Sequence, residues 1–211
     1  MRRCSPDKTR IGIFGGCFDP IHLGHLLVAE DVFIKLKLDR LIFIPTFRPP
    51  HRPSPIASYN DRVEMVRRAI AGNHFFTVSC IEANHPGPSY TIQTLAHLRI
   101  LFPQAHLYLL LGYDQYHSIG CWHKPLELTK IAKLVIMSRP GVRQPSLLPG
   151  HKPRDIIFLD VIPVELTATL IRERLAKGAS VCYLIPTAVA DYIYKNRLYL
   201  KEKTKEDKCW K

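Results

Sequence analysis

Residues 11–25 read IGIFGGCFDPIHLGH, and the order of residue types in this stretch decides the fold. A short apolar run ends in Gly15 and Gly16, an Asp-Pro pair follows, and a helical pattern opens with His22 and His25. An apolar, β-branched run that stops at glycines reads as a buried strand, and glycine at its carboxyl end lets the chain turn tightly and a ligand approach the main chain. The spacing is not G-x-G-x-x-G, so a dinucleotide fingerprint of that form is not supported. Two histidines three residues apart in a first helical turn share one face. A helix start already attracts anions through its free N–H groups and macrodipole, and two imidazoles there extend the donor set. Zinc would want histidines four apart and a further ligand, and none stands near. Packing explains one histidine better than a pair flanking a glycine. Phosphate binding is the favoured reading.

Outward from this stretch, short apolar runs alternate with helix-length segments. RIGIFGG, DRLIFIP, FFTVSCIE, HLYLLLG, AKLVIMS and DIIFLDV read as strands, and 23–36, 59–71, 91–101, 123–131, 168–177 and 186–195 as helices. Near-continuous apolar strands suit a sheet buried on both faces, and strand–helix alternation implies right-handed βαβ units. The expected fold is α/β: a Rossmann-like, doubly wound, mainly parallel sheet with helices on both faces, and ligands beyond the carboxyl ends of the strands. Two proline-rich segments, 45–55 and 138–153, cannot be helix or central strand and should be loops on that ligand edge. The whole chain, 1–211, is expected to form one domain, with mobile basic tails at about 1–8 and 201–211.

Composition narrows the function classes. With 211 residues the chain can bury a sizeable core, and 46% hydrophobic with 23% charged residues argues against extensive disorder. No run of about 18 apolar residues suggests a membrane span, and the basic start has no apolar segment of a secretory signal behind it, so a cytoplasmic protein with no membrane partner is expected. The six cysteines are scattered without a C-x-x-C pair, which favours reduced thiols over a disulfide framework or a structural zinc site. A net charge of +12 favours polyanionic partners, from small phosphorylated ligands to nucleic acid. Part of the excess lies in the tails, and no interleaving of basic and aromatic residues marks an RNA-binding surface, so nucleic acid is not the expected partner.

The motif GGCFDPIHLGH resembles the signature of the nucleotidylyltransferase superfamily with the H-x-G-H motif, in the form typical of its bacterial nicotinate-nucleotide adenylyltransferases. Near the C-terminus LTATLIR (166–172) resembles that family's I-S-[SA]-T-x-[IL]-R, with Thr167 where serine is usual. Its residues make sense alone: hydroxyls at Thr167 and Thr169 can cap a helix whose N–H groups face phosphate, and Arg172 adds a fixed bidentate cation. Between the two, PSYTIQTLAHLR (88–99), LLLGYDQYHSIGCWHKPLEL (109–128), MSRPG (137–141) and PPHR (49–52) resemble further family segments in order. The resemblance spans about residues 9 to 200.

The resemblance implies transfer of AMP from ATP to nicotinate mononucleotide, giving deamido-NAD and pyrophosphate. It implies catalysis by His22, His25 and Arg172. ATP would also meet Gly15, Gly16, Phe18, Gly112, Asp114 (at a ribose), Arg139, Thr167 and Thr169. Nicotinate mononucleotide would lie against Cys17, Arg52, Tyr90, Thr91 and Trp122, with the indole stacked on the pyridinium ring. Mg²⁺ would enter bound to the ATP phosphates, with no metal site made by the protein. Cys17 stands where relatives commonly have threonine or serine, and the chemistry needs no thiol nucleophile. Sequence leaves open whether the protein is a monomer or a homodimer, and how strictly it separates the nicotinate from the nicotinamide mononucleotide.

Overall fold

The computed structural model describes residues 9–50, 53–138 and 146–200. Six strands, β1 (Arg10–Gly16), β2 (Arg40–Pro45), β3 (Phe76–Val78), β4 (His106–Gly112), β5 (Lys133–Ser138) and β6 (Ile156–Asp160), form one sheet in the order β3-β2-β1-β4-β5-β6. Every neighbouring pair is parallel. The order reverses between β1 and β4, so the loops leaving these two central strands diverge to opposite faces and open a crevice at their carboxyl ends.

Burial alternates along each strand, as a sheet covered on both faces requires. Phe14, Leu41, Phe43, Tyr108, Leu110 and Val135 face one core. On that side lie α1 (Leu23–Lys35), α2 (Tyr59–Ile70), α6 (Ala168–Ala176) and α7 (Thr187–Lys195). Ile11, Ile13, Ile42, Leu109, Leu134 and Ile136 face the other core, under α3 (Thr91–Leu101) and α5 (Pro125–Ile131). The short α4 (Tyr113–His117) begins where β4 ends.

The strand expected from FFTVSCIE is shorter in the structure. Only Phe76–Val78 pairs with β2, because β3 is an edge strand and Ser79 N–H makes one last bond to the Phe43 carbonyl, at 2.9 Å, before the chain coils into a 3-10 turn at Ile81–Asn84. That turn carries Glu82 to the ligand edge.

Candidate active site

Beyond the carboxyl ends of β1, β2 and β4 lies a cavity of about 320 Å³. Gly15, Gly16 and Cys17 form one wall, Thr46, Pro49 and Pro50 another, and Tyr90, Thr91 and Trp122 a third. Tyr90 precedes the first turn of α3, and its ring rests on that of His123 at 4.6 Å. Glu82 braces the cavity from below: its Oε2 accepts the Phe47 N–H at 3.1 Å, and its Oε1 accepts the Thr94 hydroxyl at 3.0 Å. One carboxylate thus joins the proline-rich loop to α3. Gln115 also lines the cavity, and its Oε1 accepts the Gly112 N–H at 2.9 Å.

A second, more open surface adjoins this cavity through the loop after β1. Phe18, at φ 49° and 2% exposed, is pressed into the core against Phe14 and Phe43, so what it offers a ligand is its main chain. Gly16 permits this, since a Cβ there would stand 3.0 Å from the Phe18 ring. His22 occupies the N-cap of α1, and His25 its third residue. The two rings stack with centroids 3.7 Å apart. The His22 N–H donates to Nδ1 of His25 at 3.3 Å, which leaves the proton of a neutral His25 on Nε2. Phe18 meets the His25 ring edge-on at 5.1 Å and fixes its plane. Gly24 is needed between them: a Cβ would lie 3.0 Å from His22 Nδ1 and 3.1 Å from Val164.

Val164 belongs to the segment that leads into α6, so the two distant motifs meet here. Thr167 caps α6, its Oγ1 accepting the Leu170 N–H at 3.1 Å. Thr169 does not share the capping expected of it; its hydroxyl accepts Nη2 of Arg172 at 3.1 Å. Nη1 of Arg172 donates to the Asp19 carbonyl at 2.7 Å and ties α6 to the loop after β1. The Asp19 side chain is buried and fully engaged: Oδ2 accepts the Ile56 N–H, while Oδ1 accepts the Ala57 N–H and, at 2.6 Å, the Tyr199 hydroxyl. Burial and that bond to the carboxylate push the Tyr199 phenol far above its ordinary range, so it stays a donor.

Burial lowers the pKa of His22 to about 4, and burial together with its neighbour lowers that of His25 as well. Both are therefore neutral donors at pH 7, and two stacked imidazolium ions are avoided. The sign follows from linkage: the unfolded chain takes up protons near pH 6.5 while the folded pair refuses them. Folding stability should therefore fall as pH drops from about 6.5 towards 4, by on the order of 3 kcal/mol from His22. Urea midpoints measured across that range check this, and His22→Asn should flatten the slope; an unchanged slope would contradict it.

A model of the cytidylyltransferase-like family matches residues 13–174. A "Probable nicotinate-nucleotide adenylyltransferase" of Thermus thermophilus is 44% identical over 190 residues, covering 90% of this chain and 99% of the relative. A protein of the same name from Dehalococcoides mccartyi is 40% identical over 203 residues, covering 92% and 99%. The chain belongs to this family, among its nicotinate-nucleotide adenylyltransferases. Among solved structures, the Plasmodium falciparum nicotinic acid mononucleotide adenylyltransferase complexed with NaAD superimposes with a TM-score of 0.73 over 90% of this chain and 97% of that one. At 18% identity it speaks for the fold.

Of the residues to which the family resemblance points, the structure gathers Gly15, Gly16, Cys17, Tyr90, Thr91 and Trp122 around the cavity, and His22, His25, Thr167, Thr169 and Arg172 beside the loop after β1, with His22 buried. Gly112 lies half-buried at the end of β4, and Asp114 is exposed in the first turn of α4; neither lines the cavity. Arg52 and Arg139 lie outside the described residues. Sequence reading passed over Glu82, Gln115, Asp19 as a hub and Tyr199. Only Asp19 had a signal, its place inside the motif. No helix among the described residues is long and apolar enough to cross a membrane.

Proposed function

We propose that this chain transfers the adenylyl group of ATP to nicotinate mononucleotide, giving deamido-NAD and pyrophosphate in NAD biosynthesis. One observation carries the reading: an aromatic-walled cavity joined, through the loop after β1, to an open surface where two helix starts, two neutral imidazoles and a guanidinium converge. A cavity of this size suits a small-molecule ligand, and the second surface suits a polyphosphate. The names of the relatives agree with the pairing.

An oxygen of the mononucleotide 5′-phosphate attacks the α-phosphorus of ATP. The new P–O bond forms as the bond to the bridging oxygen breaks, and its electron pair leaves on pyrophosphate. The nucleophile is already an anion, so no base need take a proton and no covalent enzyme intermediate is required. The work left to the protein is alignment and stabilisation of charge on the transferring group. The Nε2–H of His25 and the ring of His22 meet phosphate oxygens. The starts of α1 and α6 cradle the chain of phosphates, and Arg172 holds the β- and γ-phosphates as they depart. Trp122 and Tyr90 receive the pyridinium ring, with Thr91 beside it, and Cys17 supplies a small wall near the phosphate loop. Arg52 and Arg139 would reach phosphates from the two proline-rich segments.

Among the described residues no group of three or more His, Cys, Asp or Glu could hold a metal ion, and the phosphate-facing donors are neutral or cationic. This donor set would leave a Mg²⁺ ion to the triphosphate oxygens, where it would supply neutralisation of charge on the leaving pyrophosphate. The test is pyrophosphate release with ATP and Mg²⁺ against nicotinate mononucleotide, nicotinamide mononucleotide and phosphopantetheine. Fastest release with the nicotinate form is expected; release with none of the three would overturn the proposal.

A further inference from the structure

Arg62, on α2, is 1% exposed, yet no carboxylate among the described residues lies within ion-pair distance of it. Its Nη1 donates to the Cys17 carbonyl at 2.7 Å, and its Nη2 to the Thr46 carbonyl at 2.8 Å. Its Nε is buried without a partner, and the guanidinium sits 5.5 Å over the Tyr59 ring. The two acids of this region are taken: Asp19 by two main-chain N–H groups and Tyr199, Glu82 by Phe47 and Thr94. A buried cation whose described hydrogen bonds go only to neutral carbonyls carries a heavy desolvation penalty, and an apolar side chain would ordinarily serve the fold better. Both of its acceptors, Cys17 and Thr46, line the cavity.

We propose that Arg62 is a positioning residue whose guanidinium gains a further anionic partner when the phosphate of the mononucleotide arrives across the Cys17 and Thr46 main chain. The inference rests on the adenylyl-transfer reading and names the group behind its acceptor site. It acts in two ways. The carbonyl and the following N–H of a trans peptide point in opposite directions, so anchoring the Cys17 carbonyl turns the Phe18 N–H away from Arg62, towards the ligand side. The guanidinium also sets a positive potential beneath the loop in a region of low dielectric, where screening by salt is weak.

The test separates charge from scaffolding. Quenching of tryptophan fluorescence gives Kd for nicotinate mononucleotide and for nicotinate riboside, which lacks the phosphate, on wild type, Arg62→Met and Arg62→Lys, each in a Trp210→Phe background so that Trp122 alone reports. Arg62→Met should weaken the mononucleotide roughly tenfold or more and leave the riboside unchanged, and Arg62→Lys should recover part of the loss. Equal losses for both ligands, or none for either, would overturn the proposal. Should the methionine variant fail to fold, the lysine variant answers alone: it loses the two-pronged grip and should still weaken the phosphorylated ligand selectively. Failure of the wild type to release pyrophosphate would sink the reaction and leave this comparison of binding intact.

Discussion

His25→Ala is expected to lower kcat for pyrophosphate release by about 10² to 10³ while changing the KM for ATP little. The ring is held by three neighbours at once: the His22 main-chain N–H on Nδ1, the stacked His22 ring, and the edge of Phe18. With Nδ1 occupied as an acceptor, only Nε2 carries a proton, and it points to one place. Such a preorganised neutral donor does most for charge that builds up in the transition state, where no solvent reorganisation is needed. On the proposed reading, ground-state ATP also meets the helix starts and Arg172 and should feel its loss less. Single-turnover measurements isolate the chemical step. Turnover within twofold of wild type would show that His25 has no part in charge stabilisation.

Arg172→Ala should cost more broadly, raising the KM for ATP about tenfold and lowering kcat/KM by roughly 10² to 10³. Two losses combine. The cation proposed to meet the leaving phosphates disappears, and so does the bond that ties α6 to the Asp19 carbonyl. Arg172→Lys should recover only a small part, because an ammonium cannot reach the Asp19 carbonyl, the Thr169 hydroxyl and a phosphate with one planar fork. Steady-state kinetics with varied ATP check both variants. Lysine restoring full activity would show that point charge alone matters.

Sequence reading reached the topology because each strand ran unbroken through apolar residues and each helix had a period of its own. It placed β1 and α1 to within one residue, since Gly16 and His22 are local punctuation. The two segments that resemble family motifs were legible for the same reason, since hydroxyls and an arginine in one helical turn are a local pattern, and the structure brings them together through Arg172 and the Asp19 carbonyl. The pieces sequence reading missed act at a distance. Glu82 reaches Phe47 across 35 positions and Arg62 reaches Cys17 across 45. No periodicity records which side chain will arrive under which loop. The shortened β3 has the same origin, since where an edge strand stops pairing depends on its neighbour β2 and not on its own residues. Thr169 resembled a second cap because a hydroxyl's choice between N–H and guanidinium is settled only by the fold.

The bond from Tyr199 to Asp19 joins residues 180 positions apart, and the Leu23 N–H rests on the Leu184 carbonyl. The motif after β1 is thus held in shape by a segment that leaves the ribosome much later. A nascent chain can fold much of its sheet and still lack these two contacts, so competence for ATP should arrive abruptly, once Leu184 and Tyr199 have emerged, rather than growing with chain length.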